Sequence, residues 1–189
     1  MIIHISGFPG SGKTTLGEKI QKIFGNNVIV YDTDNFIQHH NKAGKILLKL
    51  EKEEAFEEYY SMWKIIMDKS INNFVESHRN NNIIFVGSLD NFAPPNRIFK
   101  IKADHKIVLD VSLPEIMKRY YHRIYLTDHK ATKKQTDDYW KKISEGTYNI
   151  ESSKNIIKNY AKYMLWHQNN NYRCMNDDDI IKYLKKILT

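Results

Sequence analysis

The sequence predicts an α/β domain with a parallel sheet of about five strands, flanked by helices. Three observations predict it. Short apolar runs alternate with stretches of helical spacing, as strand–helix–strand units require. A Gly-rich loop separates the first strand from the first helix. Across 189 residues there is no internal repeat and no Pro/Gly/Ser linker, so one domain is expected over 1–189.

The elements follow in order. "MIIHIS" reads as a buried strand, and Leu16, Ile20, Ile23 and Phe24 mark the apolar face of the helix after it, with Gly25 as its stop. Asn27–Asp32 is a second strand, and a mostly helical stretch fills 35–78. Asn82–Gly87 and His105–Val111 are strong apolar strands. Pro114 suits a helix start, and that helix would run to about Leu126. The segment "TDHKATKKQTDD", Thr127–Asp138, holds almost nothing to bury and reads as an exposed loop or flap. Ser152–His167 has helical register in Ile156, Tyr160, Tyr163, Met164 and His167. "YRCM" is a last short strand, and Asn176 caps a closing helix with Asp177, Asp178 and Asp179 in its first turn and Lys185 and Lys186 near its end.

Composition narrows the classes. The net charge of +7 and pI of about 9.2 suit polyanionic partners or a Lys-covered surface. Cys174 is the single cysteine, so no internal disulfide can form and a reducing, cytoplasmic compartment is expected. No apolar run is long enough to span a bilayer, and the apolar start is too short for a signal peptide.

"GFPGSGKTT" satisfies Gly-x-x-x-x-Gly-Lys-[Ser/Thr] with Gly7, Gly12, Lys13 and Thr14. Glycines let backbone N–H groups turn inward and approach phosphate oxygens. Gly10, Ser11 and Thr15 complete the nucleotide-binding set. Lys13 can reach the β- and γ-phosphates, the Thr14 hydroxyl can ligate Mg²⁺, and the following helix adds its positive end. ATP and Mg²⁺ are therefore the expected cofactors. A guanine reader is missing, because Asn41-Lys42-Ala43-Gly44 puts a glycine where the carboxylate belongs. The chain is too short for a motor's coupling machinery.

The chain resembles the nucleoside/nucleotide-kinase-like group of phosphate-loop phosphotransferases, which includes nucleotide monophosphate kinases and shikimate-kinase-like enzymes. The likeness spans the order of elements and is specific at the loop, at "YDTDNFI" and around Arg119. It implies the P-loop NTPase fold with an acceptor-binding helical region at 35–78 and a lid at 119–140. It further implies that Asp32 helps hold Mg²⁺ through water, while Asp34 binds the acceptor hydroxyl and draws off its proton. Two residues apart, the carboxylates would share one side of an extended chain, at the strand end where ligands of such sheets bind. The other reading of this segment is a cap for the next helix, which Thr33 or Asp34 would serve well. A hydroxyl acceptor needs a carboxylate and a phosphate acceptor needs cations, so the acidic pair favours a hydroxyl.

Asp90, just past the third strand, is either a further Mg²⁺-orienting acid or a turn residue. Only five Arg stand against 24 Lys, which suggests that each retained Arg serves its planar fork. Arg119 and Arg123 lie four apart on one helix face. By the resemblance, the leading Arg clamps the transferring phosphate. Arg97 is a weaker candidate for an acceptor phosphate. The stripe Phe56, Tyr59, Tyr60 and Trp63 reads as core before it reads as a base-stacking surface. The expected activity is ATP- and Mg²⁺-dependent phosphoryl transfer to a small, nucleoside- or nucleotide-like acceptor. A nucleoside monophosphate kinase, and a 5′-hydroxyl polynucleotide kinase or nucleic-acid-binding ATPase, stay open beside it.

Overall fold

A computed structural model describes residues 1–38, 56–87, 101–123, 134, 141 and 150–188. Five strands form one sheet: β1 (Ile2–Ser6), β2 (Val28–Asp32), β3 (Asn82–Val86), β4 (His105–Leu109) and β5 (Arg173–Met175). Their spatial order is β2-β3-β1-β4-β5, and every pair is parallel. The helices are α1 (Lys13–Phe24), α2 (Asp34–Gln38), α3 (Phe56–Ser77), α4 (Leu113–Arg123), α5 (Ile150–Asn169) and α6 (Asp177–Leu188). The P-loop NTPase architecture expected from the sequence is the one observed. Asp90, Arg97, the flap at 127–138 apart from Lys134, and most of the stretch 35–55 lie outside the described residues. So do the side chains of Arg123, Phe56 and Tyr60.

β1 is central, and it is buried on both faces. Ile3 and Ile5 point into a core shared with Leu16 and Ile20 of α1 and Ile180 and Leu184 of α6. On the other face Ile83 and Phe85 pack with Phe36, Met67 and Ile71, and Val108 packs with Phe8, Ile116 and Tyr163. Trp63 lies against this second layer, so the described end of the aromatic stripe is core. The apolar face of α1 differs from the expected one, because Ile23 is exposed. Leu16 and Ile20 are a turn apart and buried, whereas Ile23, on the same face but in the last turn of α1, is exposed. β4 stops at Leu109 rather than Val111, although the Asp110 N–H still donates to the Met175 carbonyl at 2.9 Å. α4 starts one residue before Pro114, with the Ile116 N–H donating to the Ser112 carbonyl. Asn176 caps α6 as expected, its Oδ1 accepting from the Asp179 N–H at 3.0 Å.

The second face of β1 also carries polar side chains. His4 and Ser6 are fully buried, as is His167 of α5. The Ser6 hydroxyl lies 2.6 Å from the Tyr163 hydroxyl and 2.9 Å from His167 Nε2, while His167 Nδ1 is 2.8 Å from the Tyr163 carbonyl. A carbonyl can only accept, so Nδ1 carries the proton and Nε2 accepts from Ser6. His4 Nδ1 lies 2.7 Å from the Tyr172 hydroxyl and its Nε2 3.1 Å from the Gly87 carbonyl. By the same logic Nε2–H donates to Gly87, and Nδ1 accepts from Tyr172. Each described polar atom of this layer has a partner, which is the condition for burying it without a large penalty.

Burial lowers the His4 pKa from 6.5 to about 4; the Gly87 bond works against the shift and Lys106 adds to it. The unfolded chain gains this proton as pH falls through about 6.5, whereas the folded protein gains it only near 4. Stability is therefore full above that window and declines within it, by up to about 1.4 kcal/mol per pH unit from this residue. Urea denaturation between pH 7 and about 4 should show a steeper loss for the native chain than for His4→Gln.

Candidate active site

The loop is shaped by local turn chemistry. Pro9 and Gly10 occupy the centre of a turn closed by the Ser11 N–H on the Phe8 carbonyl at 2.9 Å, and Gly10 has φ 84°. Proline first and a positive-φ glycine second is the type II pattern. Gly12 follows in the left-handed region at φ 89°, ψ 16°, and its carbonyl accepts the Leu16 N–H as α1 begins. Phe8 anchors the loop from below. It is 5% exposed and sits edge-on to Tyr160 and Tyr163 of α5, each with ring centroids 5.5 Å away. This anchor was invisible in the motif, where Phe8 is an unspecified position. Thr14 and Thr15 face solvent at the start of α1.

The outlet of β2 lies beside this loop. Thr14 Oγ1 donates to Asp32 Oδ2 at 3.1 Å. The other carboxylate oxygen of Asp32 accepts the Asp34 N–H at 3.0 Å, so Asp32 closes the first turn of α2. Asp34 is not on an extended segment: β2 ends at Asp32 and α2 begins at Asp34. The expected shared side of an extended pair therefore does not apply. The carboxylates are joined through a backbone hydrogen bond, and Asp34 is exposed on a helix terminus. Hard oxygen donors such as Thr14 Oγ1 and the Asp32 carboxylate fit Mg²⁺ that draws its remaining ligands from phosphate and water.

The third strand's outlet presses on the same turn. Thr33 is fully buried, its N–H donates to the Val86 carbonyl at 2.9 Å, and its hydroxyl has no hydrogen-bond partner among the described residues. A Cβ on Gly87 would collide with that hydroxyl. Gly87 is thus required by its close backbone approach to the turn between the two aspartates.

Arg119 reaches the loop from α4. Its Nη1 donates to the Ser11 carbonyl at 2.7 Å and its Nε to Glu115 Oε1 at 2.8 Å. A Cβ on Gly12 would stand 2.9 Å from Nη1. The exposed ion pair with Glu115 contributes little by itself, but it aims the guanidinium at the loop. Two cavities open on either side. One, of about 620 Å³, is bounded by Thr14, Gln21, Val30, Asp32 and Asn35. The other, of about 480 Å³, is bounded by Asp110, Ser112, Arg119, Asn176 and Lys182.

Residues 3–141 match the AAA domain family, and the chain belongs to it. No curated protein matches the sequence. Solved structures share the fold. A shikimate kinase from Bacteroides thetaiotaomicron aligns at a TM-score of 0.56 with 16% identity, covering 100% of this chain and 98% of that one. A shikimate kinase from Acinetobacter baumannii in complex with shikimate aligns at 0.53 with 18% identity, covering 99% and 92%.

Two substitutions test this geometry. Gly87→Ala should cost about 1–3 kcal/mol in chemical denaturation, the usual range for overpacking, with part of the loss recovered in the double variant with Thr33→Ala. Arg119→Ala removes a charge-assisted bond that is partly open to solvent. Titration with a fluorescent ATP analogue should show affinity weakened about fivefold, or roughly 1 kcal/mol.

Proposed function

We propose that the chain is a kinase that uses ATP and Mg²⁺ to phosphorylate a hydroxyl of a small, nucleoside- or nucleotide-like acceptor. The observation that carries this reading is the Thr14–Asp32 contact. It ties the phosphate loop to a strand outlet bearing two carboxylates, with a cavity on each side. One cavity suits the donor's base beside Arg119 and the other an acceptor beside Asp32.

In this reading the loop amides from Gly7 to Thr15 and the Lys13 ammonium hold the donor's phosphates, with the positive end of α1 behind them. Thr14 and Asp32 would hold Mg²⁺, which neutralises charge on the β- and γ-phosphate oxygens when bound. Asp34 orients the acceptor hydroxyl and takes its proton as that oxygen bonds to phosphorus and the bond to the ADP oxygen breaks. Arg119 braces the loop through Ser11 and walls the base cavity. Arg119 is the proposed clamp on the transferring phosphate, its guanidinium aimed at the loop by its bonds to Ser11 and Glu115. Arg123, four residues further along α4, is the second arginine of the pair.

A radiolabelled γ-phosphate transfer screen over nucleosides, nucleoside monophosphates, shikimate and other hydroxy acids, and a 5′-hydroxyl oligonucleotide tests the reading. A small hydroxyl compound should be labelled, and Lys13→Ala should abolish labelling. Asp34→Asn should lower turnover about 10²–10⁴-fold with ATP affinity retained. Labelling of a monophosphate's phosphate, or of the oligonucleotide alone, would replace the proposed acceptor class.

A further inference from the structure

The outlet of β2 has a support that its own sequence does not reveal. Asp32 and Asp34 flank Thr33, whose hydroxyl is buried against Gly87 without a hydrogen-bond partner among the described residues. Thr33 is held to β3 by one backbone bond, its N–H to the Val86 carbonyl. Gly87 is the residue at which β3 leaves the sheet. Its N–H donates to the Ile5 carbonyl at 3.1 Å, and its carbonyl is met by a side chain, His4 Nε2 at 3.1 Å. The His4 ring is fixed from behind, with Nδ1 2.7 Å from the Tyr172 hydroxyl and the two rings edge to face at 5.6 Å. Both ring nitrogens are committed, the ring is fully buried, and burial keeps it neutral. A core histidine kept only for packing would not need to end on a carbonyl of the strand outlet.

We infer that His4 is a positioning residue for the carboxylates at the β2 outlet. Its Nε2–H sets the depth of Gly87, and Gly87 sets the depth of the Thr33 turn between Asp32 and Asp34. The inference rests on the proposed kinase reading for its effect on turnover, and on geometry alone for the linkage. His167 provides an internal contrast. It is equally buried, but it connects Ser6 to α5, and none of its described bonds reaches Gly87 or Thr33.

Three variants of the full chain separate positioning from general stability. In His4→Asn the side-chain amide can still meet Tyr172 but cannot reach Gly87. In His4→Gln the terminal amide can replace Nε2–H. His167→Asn breaks the bond to Ser6 and removes the ring contacts with Tyr163, Trp166 and Tyr172, but leaves the His4–Gly87 bond in place. The expected result is that His4→Asn lowers turnover at least about tenfold, with ATP affinity within about twofold of native. His4→Gln should stay within about threefold of native turnover. In amide proton–nitrogen spectra of the free protein, His4→Asn should move the Gly87, Thr33 and Asp34 signals, and His167→Asn should leave those of Thr33 and Asp34 in place.

Native turnover in His4→Asn, or equal losses in His4→Asn and His4→Gln with the outlet amides unmoved, would overturn the inference. If the native chain labels no acceptor, the functional reading falls by itself. The amide shifts then decide the linkage: movement at Thr33 and Asp34 supports it, and their silence removes it.

Discussion

The site depends on one constraint: β1 is paired in parallel on both edges, with β3 and with β4. That pairing fixes the end of β1 in line with the ends of its neighbours, so Gly7, Gly87 and Asp110 emerge on one edge of the sheet. Parallel strands released together leave a crevice along their carboxyl ends. The phosphate loop, the β2 turn and the start of α4 all border it. The hydrogen bonds that shape the site are short crossings between these segments: Thr14 to Asp32, Thr33 to Val86, and Arg119 to Ser11. A one-residue slip of β2 would turn the Asp32 carboxylate to the opposite face and away from Thr14.

Much of this was legible in the sequence. β-branched runs located the strands, because a strand buried on both faces has little choice but Ile and Val. The loop was legible because glycine, lysine and threonine occur there for reasons of backbone shape and charge that few other sequences satisfy. Asn176 was legible as a cap because the three acidic residues after it favour the same helix end. In each case local chemistry and tertiary placement demand the same residue.

The unread parts have a physical reason too. Period-2 patterning told of a strand in "IIHIS", but not that His4 and Ser6 would be met by Tyr172, Tyr163 and His167, more than 150 residues away in sequence. Polar pairing across such a separation has no local signature. Phe8 occupies a position that the loop motif leaves open, so only the aromatic layer of α5 shows why it is large. The Asp32–Asp34 pair was read as extended because spacing alone does not report that the strand stops at Asp32. What stops it is the carboxylate itself, which accepts the Asp34 N–H and starts a helix.

The hydroxyl and imidazole groups shared by β1 and α5 make these two elements a matched set. An apolar helix face can be exchanged for another of similar volume, since dispersion contacts carry no polarity. The face of α5 that offers Tyr163 and His167 fits only a strand that offers a hydroxyl at position 6. A chimera that took this helix from another family member, and left Ser6 behind, would bury donors and acceptors with nothing to meet them. Recombination between relatives would therefore have to carry the first strand and the part of α5 around Tyr163 and His167 together, although more than 150 residues separate them in sequence.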